Sequence, residues 1–197
     1  MDMEISYLPL SWNKYLNQIR ALAEDILIKK HQINLIVAIS RGGLTLGHIL
    51  SDHLRIPIWT IAIQSYTDIQ TQGEFKITGK LQTSIKNKHI LLADDVADSG
   101  QTFVRALLYL KRSQPASITT LAVFYKPRSI FKPDLFAEKT TKWILFPYEN
   151  TEMIKQISTR LLKEGKSILQ IRTFLKSLKF KDAQIDFVYR YYLPKEV

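Results

Sequence analysis

His89-Ile90-Leu91-Leu92-Ala93-Asp94-Asp95-Val96-Ala97-Asp98-Ser99-Gly100-Gln101-Thr102 is the stretch that decides the fold. Its apolar run, Ile90 to Ala93, reads as a buried strand that ends in two carboxylates, Asp94 and Asp95. A small-residue turn then leads to an amphipathic helix starting near Thr102. A strand feeding a helix through a short polar loop is the unit of an open α/β sheet, and such sheets bind ligands beyond the carboxyl ends of their strands. Small side chains and one glycine between Val96 and Gln101 let backbone N–H groups converge at the helix start, where a phosphate is expected. Two acids beside a phosphate would repel it unless the ligand also brings hydroxyls or a divalent metal.

Asp94 to Thr102 resembles the phosphoribosyl pyrophosphate (PRPP) signature of type I phosphoribosyltransferases: two acids, two apolar residues, Asp, Thr or Ser, Gly, any residue, Thr, with every fixed position filled. A solvated acidic turn with a helix cap needs no such set of offsets. The resemblance implies an α/β fold of that type, with a mainly parallel central sheet, helices on both faces and a small hood. It implies an enzyme, a pentosyltransferase that uses PRPP and Mg²⁺. Asp94 and Asp95 would face the ribose hydroxyls or hold Mg²⁺, directly or through water. Val96, Ala97, Asp98, Ser99, Gly100, Gln101 and Thr102 would enclose the 5-phosphate, with Asp98 as general base on the purine's imidazole-ring nitrogen.

Composition bounds the alternatives. A chain of 197 residues suits one domain with an appendage, and zero cysteines exclude disulfides, thiolate nucleophiles and Cys-ligated zinc. Met1 to Pro9 lacks a signal-peptide pattern and no apolar run approaches membrane-spanning length, so a cytoplasmic protein is expected. The net charge of +10 suits a polyanionic partner, and a substrate with three phosphates would use it as well as nucleic acid.

Upstream, Ser11 reads as the N-cap of a packing helix with Trp12, Tyr15, Leu16, Ile19, Leu22, Ala23 and Ile26 at helical spacing. Residues 34–40 read as a parallel strand that ends at Ser40-Arg41-Gly42-Gly43, and a helix follows from Leu44 to Leu54. Arg41 and the glycine pair form a second strand-to-helix loop that suits phosphate. It looks like the pyrophosphate loop of the purine members of the family, in which the peptide before this arginine can be cis. A third strand is expected at 58–63.

Residues 64–88, polar with weak periodicity, read as a loop or a functional lid. The family places a mobile flap here, and Ser65-Tyr66 looks like the pair that starts it. The arginine that several relatives carry in the flap has no counterpart, because between Tyr66 and Lys86 the cations are Lys76 and Lys80.

Beyond the signature, a helix is expected from Phe103 to Arg112 and a strand at 118–125. Lys126 then looks like the lysine that donates to the exocyclic oxygen of a 6-oxopurine. Trp143, by itself a fair core residue, looks like the aromatic that stacks on the base, and Ile144 like the residue whose carbonyl meets its 2-position. Relatives often have Asp at Glu149, which receives no role.

The catalytic domain is therefore drawn as 1–149, with a hood over about 126–149. Residues 150–197 form a helical extension whose ten Lys/Arg and five Asp/Glu supply half of the positive excess. The implied reaction moves 5-phosphoribosyl from PRPP to guanine, xanthine or hypoxanthine in purine salvage. Dimers or tetramers are expected from the relatives. The competing reading is a PRPP-sensing regulator that binds nucleic acid through the basic helices. An intact Asp98 with Lys126 and Trp143 argues against it, and no nucleic-acid-binding motif appears.

Overall fold

Leu35-Ile36-Val37-Ala38-Ile39, all aliphatic and all buried, can satisfy both faces only inside a sheet covered on either side. The computed structural model, which describes residues 5–65 and 75–193, places this run in the middle of six strands. β1 (Tyr7–Pro9) and α1 (Trp12–Ile28) precede it. β2 (Leu35–Ser40), α2 (Gly43–Leu54), β3 (Ile58–Ser65), β4 (Phe75–Gly79), β5 (His89–Ala97), α3 (Gln101–Lys111), β6 (Ser117–Tyr125) and β7 (Leu135–Lys139) follow. The sheet order is β4-β3-β2-β5-β6-β7, parallel throughout except for the antiparallel β3/β4 pair.

Alternation along the strands assigns the two faces. Leu35, Val37, Ile39 and Leu92 share a core with Phe103, Ala106 and Leu110, the buried stripe of α3. On the opposite face α2 lies close to the sheet at Gly47. A Cβ there would fall 2.8 Å from the Ala38 Cβ and 2.7 Å from the Ile58 Cδ1.

The chain forms two compact units, residues 16–141 and residues 1–15 with 142–197. In the smaller unit β1 pairs in parallel with β8 (Trp143–Leu145), Tyr7 opposite Trp143. α4 (Asn150–Lys163), α5 (Ile168–Ser177) and α6 (Asp182–Tyr191) share a core of Leu145, Met153, Ile154, Ile157, Leu161, Ile171, Leu175, Phe180, Ile185 and Val188. Tyr7 packs against this core, so the C-terminal helices and the N-terminal strand form one packed body. α5 starts on a reciprocal capping box: Ser167 Oγ accepts from Gln170 N at 3.3 Å and Gln170 Oε1 from Ser167 N at 2.9 Å. Arg172 ties α5 to α6 through Asp182 and Asp186, each at 2.7 Å.

Three expectations change. The strand expected to end at Asp94 runs to Ala97, because β6 continues the ladder through Val96↔Phe124 and Ala97↔Tyr125. Residues 75–79 of the expected lid form β4, hydrogen-bonded to β3, while Tyr66 and the rest of 66–74 lie outside the described residues. Of the stretch assigned to a hood, residues 135–139 form β7, the edge strand of the main sheet. Among the described residues no helix is long and apolar enough to cross a membrane.

Candidate active site

Because β5 extends to Ala97, Asp94 and Asp95 are strand residues, 8% and 6% exposed, and the loop before α3 is the three residues Asp98-Ser99-Gly100. The strand backbone fixes the two carboxylates on opposite sides of the sheet. Asp94 Oδ1 also accepts from Asp95 N at 3.0 Å.

The arginine loop reaches the same strand. The Ser40–Arg41 peptide is cis and Gly42 caps α2. A Cβ on Gly42 would fall 2.5 Å from Asp95 Oδ1, and one on Gly43 2.5 Å from the Ala93 carbonyl oxygen. The glycine pair therefore seats the start of α2 directly on β5 and sets Asp95 beside the Arg41 loop. The sequence reading gave these glycines to a ligand's approach; the contact they permit here is with the protein's own strand.

At the start of α3, Ser99 Oγ accepts from Gln101 N at 3.4 Å, and Gly100 has a positive φ of 83°. The loop after β6 is stapled alongside. Lys126 N donates to Ala97 O and Ile130 N to Ser99 O, both at 3.0 Å, and Ser129 N closes a turn onto Lys126 O at 2.9 Å. Phe131 stacks on Phe103 of α3 with ring centroids 5.3 Å apart.

These backbone ties bring together side chains 28 residues apart in sequence. Lys126, its side chain 7% exposed, donates from Nζ to Asp98 Oδ2 at 3.1 Å. Arg128 donates from Nε to Asp98 Oδ1 at 2.7 Å, and its Nη2 contacts the same oxygen. Arg128 carries no role in the sequence analysis. The signal that could have found it is a second cation at a strand end whose neighbouring strand carries the acid.

Asp134 was missed as well, and it does structural work at the other end of β6. Its Oδ2 accepts from Thr120 N and Oγ1 at 2.8 and 2.7 Å.

Of the remaining predicted residues, Ser65 ends β3. Trp143 and Ile144 lie on β8 of the smaller unit. There the Trp143 ring is partly exposed with Nε1 donating to Met153 Sδ at 3.4 Å, and Ile144 is buried.

Among the described residues no group of three or more His, Cys, Asp or Glu gathers to cage a metal. With the Asp94 and Asp95 side chains on opposite sides of the sheet, the pair is not a shared cage; a single carboxylate of either suits a hard divalent ion that keeps waters and is completed by substrate oxygens, the habit of Mg²⁺.

Residues 11–152 match the family model described as "Phosphoribosyl transferase domain". A hypoxanthine-guanine phosphoribosyltransferase of Crithidia fasciculata is 34% identical over 68 residues, 34% of this chain and 33% of that protein, so the match spans about a third of that relative. The purine phosphoribosyltransferase structure from Pyrococcus horikoshii Ot3 superposes with a TM-score of 0.67 at 29% identity, covering 72% of this chain and 93% of that one. The Helicobacter pylori xanthine-guanine-hypoxanthine phosphoribosyltransferase shares the fold, with a TM-score of 0.62 at 24% identity over 82% of this chain and 99% of that one. A signature read from nine residues, a sheet of matching form and a model match over most of the length converge: this chain belongs to the phosphoribosyl transferase domain family.

Proposed function

We propose that the protein transfers the 5-phosphoribosyl group of PRPP to a 6-oxopurine, releasing pyrophosphate, as a purine-salvage enzyme. The carrying observation is the Asp98–Lys126 pair: an acceptor and a buried donor 3.1 Å apart at the mouth of the signature loop. A 6-oxopurine presents the complementary edge, a ring N–H beside an exocyclic carbonyl oxygen. The names of the Crithidia fasciculata and Pyrococcus horikoshii relatives support a purine acceptor.

The reaction breaks the bond from the anomeric carbon to pyrophosphate and forms one to a purine ring nitrogen, through an oxocarbenium-like state. In this reading the backbone amides from Ala97 to Thr102, with the Ser99 and Thr102 hydroxyls, hold the 5-phosphate at the start of α3. Arg41 and the Gly42 amide offset charge growing on pyrophosphate. Asp94 and Asp95 orient the ribose hydroxyls and are the residues that would hold Mg²⁺, directly or through water, whose charge assists the leaving pyrophosphate. Lys126 leaves Asp98 for the purine's carbonyl oxygen, and Asp98 takes the proton from the imidazole ring. Trp143 stacks on the base and the Ile144 carbonyl meets its 2-position. Self-association and a cytoplasmic location complete the proposal. Nothing among the relatives supports the regulatory alternative.

The test is incubation of the full chain with PRPP, Mg²⁺ and guanine, xanthine or hypoxanthine in turn, with pyrophosphate release as the readout. Release with at least one 6-oxopurine, absent with adenine and uracil, is expected. No release with any of the three overturns the reading.

A further inference from the structure

An exposed ion pair is ordinarily worth little, and Arg128, with 67% of its side chain accessible, would pass for one. Its backbone setting separates it from that class. Arg128 sits inside a turn closed by Ser129 N on Lys126 O, and both ends of that turn are tied to the residues flanking Asp98: Lys126 N to Ala97 O and Ile130 N to Ser99 O. The guanidinium therefore leaves from a backbone fixed relative to the carboxylate it meets.

The two oxygens of Asp98 are also divided. Arg128 places both Nε and Nη2 on Oδ1, while Oδ2 receives the Lys126 ammonium.

We infer that Arg128 is a positioning residue, which clamps Asp98 by Oδ1 so that Oδ2 is the oxygen that accepts the purine's ring proton once Lys126 transfers to the base. This rests on the proposed transferase reading and deepens it. A carboxylate held by Lys126 alone would be free to turn about its Cβ–Cγ bond when the lysine departs. Two donors in the rigid fork of a guanidinium, both on one oxygen, hold the other oxygen's direction through that exchange. The bonds held by Arg128 do not have to break for the base to bind, whereas the longer Lys126 contact does.

The experiment compares Arg128→Gln, Arg128→Lys and the unaltered chain by pyrophosphate release. PRPP and the best purine are varied separately, and thermal unfolding of each variant is followed alongside. Arg128→Gln is expected to lower kcat about tenfold, a fraction of the general-base contribution, with the KM for PRPP within about twofold. Arg128→Lys, which keeps a cation but loses the fork, is expected to recover part of the loss. An unaltered kcat in Arg128→Gln overturns the inference. So does a loss carried by the KM for PRPP, which would place Arg128 on the phosphates, or a fall in rate that merely tracks a lowered Tm. If the unaltered chain itself transfers to no purine, the transferase reading fails and the role of Arg128 with it. An active parent with an equally active Arg128→Gln sinks the clamp alone.

Discussion

Two glycines with left-handed backbones provide an internal control for how tightly the candidate site is packed. Gly100 has φ 83° and Gly165 has φ 76°. Alanine at either position takes on the left-handed penalty, about 1 to 2 kcal/mol. At Gly165 nothing lies within 4 Å of an added Cβ, so that penalty is the whole expected loss. At Gly100 the Cβ would fall 2.5 Å from Ser129 Oγ, 2.7 Å from Phe131 N and 2.9 Å from Phe131 Cβ. The neighbours cannot turn aside cheaply, since Ser129 Oγ donates to Phe131 O at 2.7 Å, Ile130 N is bonded to Ser99 O and the Phe131 ring is stacked on Phe103. Relieving such overlap costs a further ~1 to 3 kcal/mol. Gly100→Ala should therefore destabilise by about 2 to 5 kcal/mol against about 1 to 2 for Gly165→Ala. Urea unfolding of the two variants and the parent measures both. Pyrophosphate release should fall in Gly100→Ala, whose overlap pushes away the loop bearing Lys126 and Arg128, and persist in Gly165→Ala. Equal stability losses, within about 0.5 kcal/mol, would refute the packing argument, because the loop would then be yielding without resistance.

Asp98→Asn is expected to keep PRPP binding, measured calorimetrically, while turnover drops roughly a hundredfold or more; near-normal turnover would remove Asp98 from the mechanism. Asp134→Ala strands the Thr120 amide and hydroxyl in a buried place and should cost about 1 to 3 kcal/mol in denaturant unfolding, with Asp134→Asn milder because it keeps an acceptor. At the α5/α6 turn, the hydrogen bond from Lys176 and then that from Arg172 hold the Asp182 carboxyl below the usual carboxylate range. A lowered folded value means the tie is fully present above the ordinary carboxylate pKa of about 4 and is lost as pH falls through the folded value. Amide exchange in α6 should accordingly quicken below about pH 4, and Asp182→Asn should remove that acid dependence. Unchanged exchange down to pH 2 would show the tie carries nothing.

The parts of the molecule legible in the sequence are those whose signal is local. The run from Ile90 to Thr102 combines strand composition, acids and a glycine at short offsets, and Ile36 to Ile39 is apolar enough to demand a central strand. Ser11 also reads correctly, its Oγ accepting from Lys14 N at 3.2 Å at the start of α1. What the sequence hides is pairing. β1 and β8 are three residues each, too short for any periodicity, and their register joins residues more than 130 positions apart. The end of β5 is set by β6, not by its own composition, so the acids looked terminal when they are internal. Arg128 meets Asp98 across 30 residues, and nothing near either one announces the other.

The stapling of the loop after β6 to the loop after β5 bears on how such a protein could change its preferred base. Lys126 N and Ile130 N hang from the carbonyls on either side of Asp98. The segment that would discriminate among acceptors therefore cannot be remodelled without tugging on the segment that would cradle the sugar. Grafting a foreign 126–131 loop alone should disturb chemistry and selectivity together, so redesign here has to exchange both loops as a single cassette.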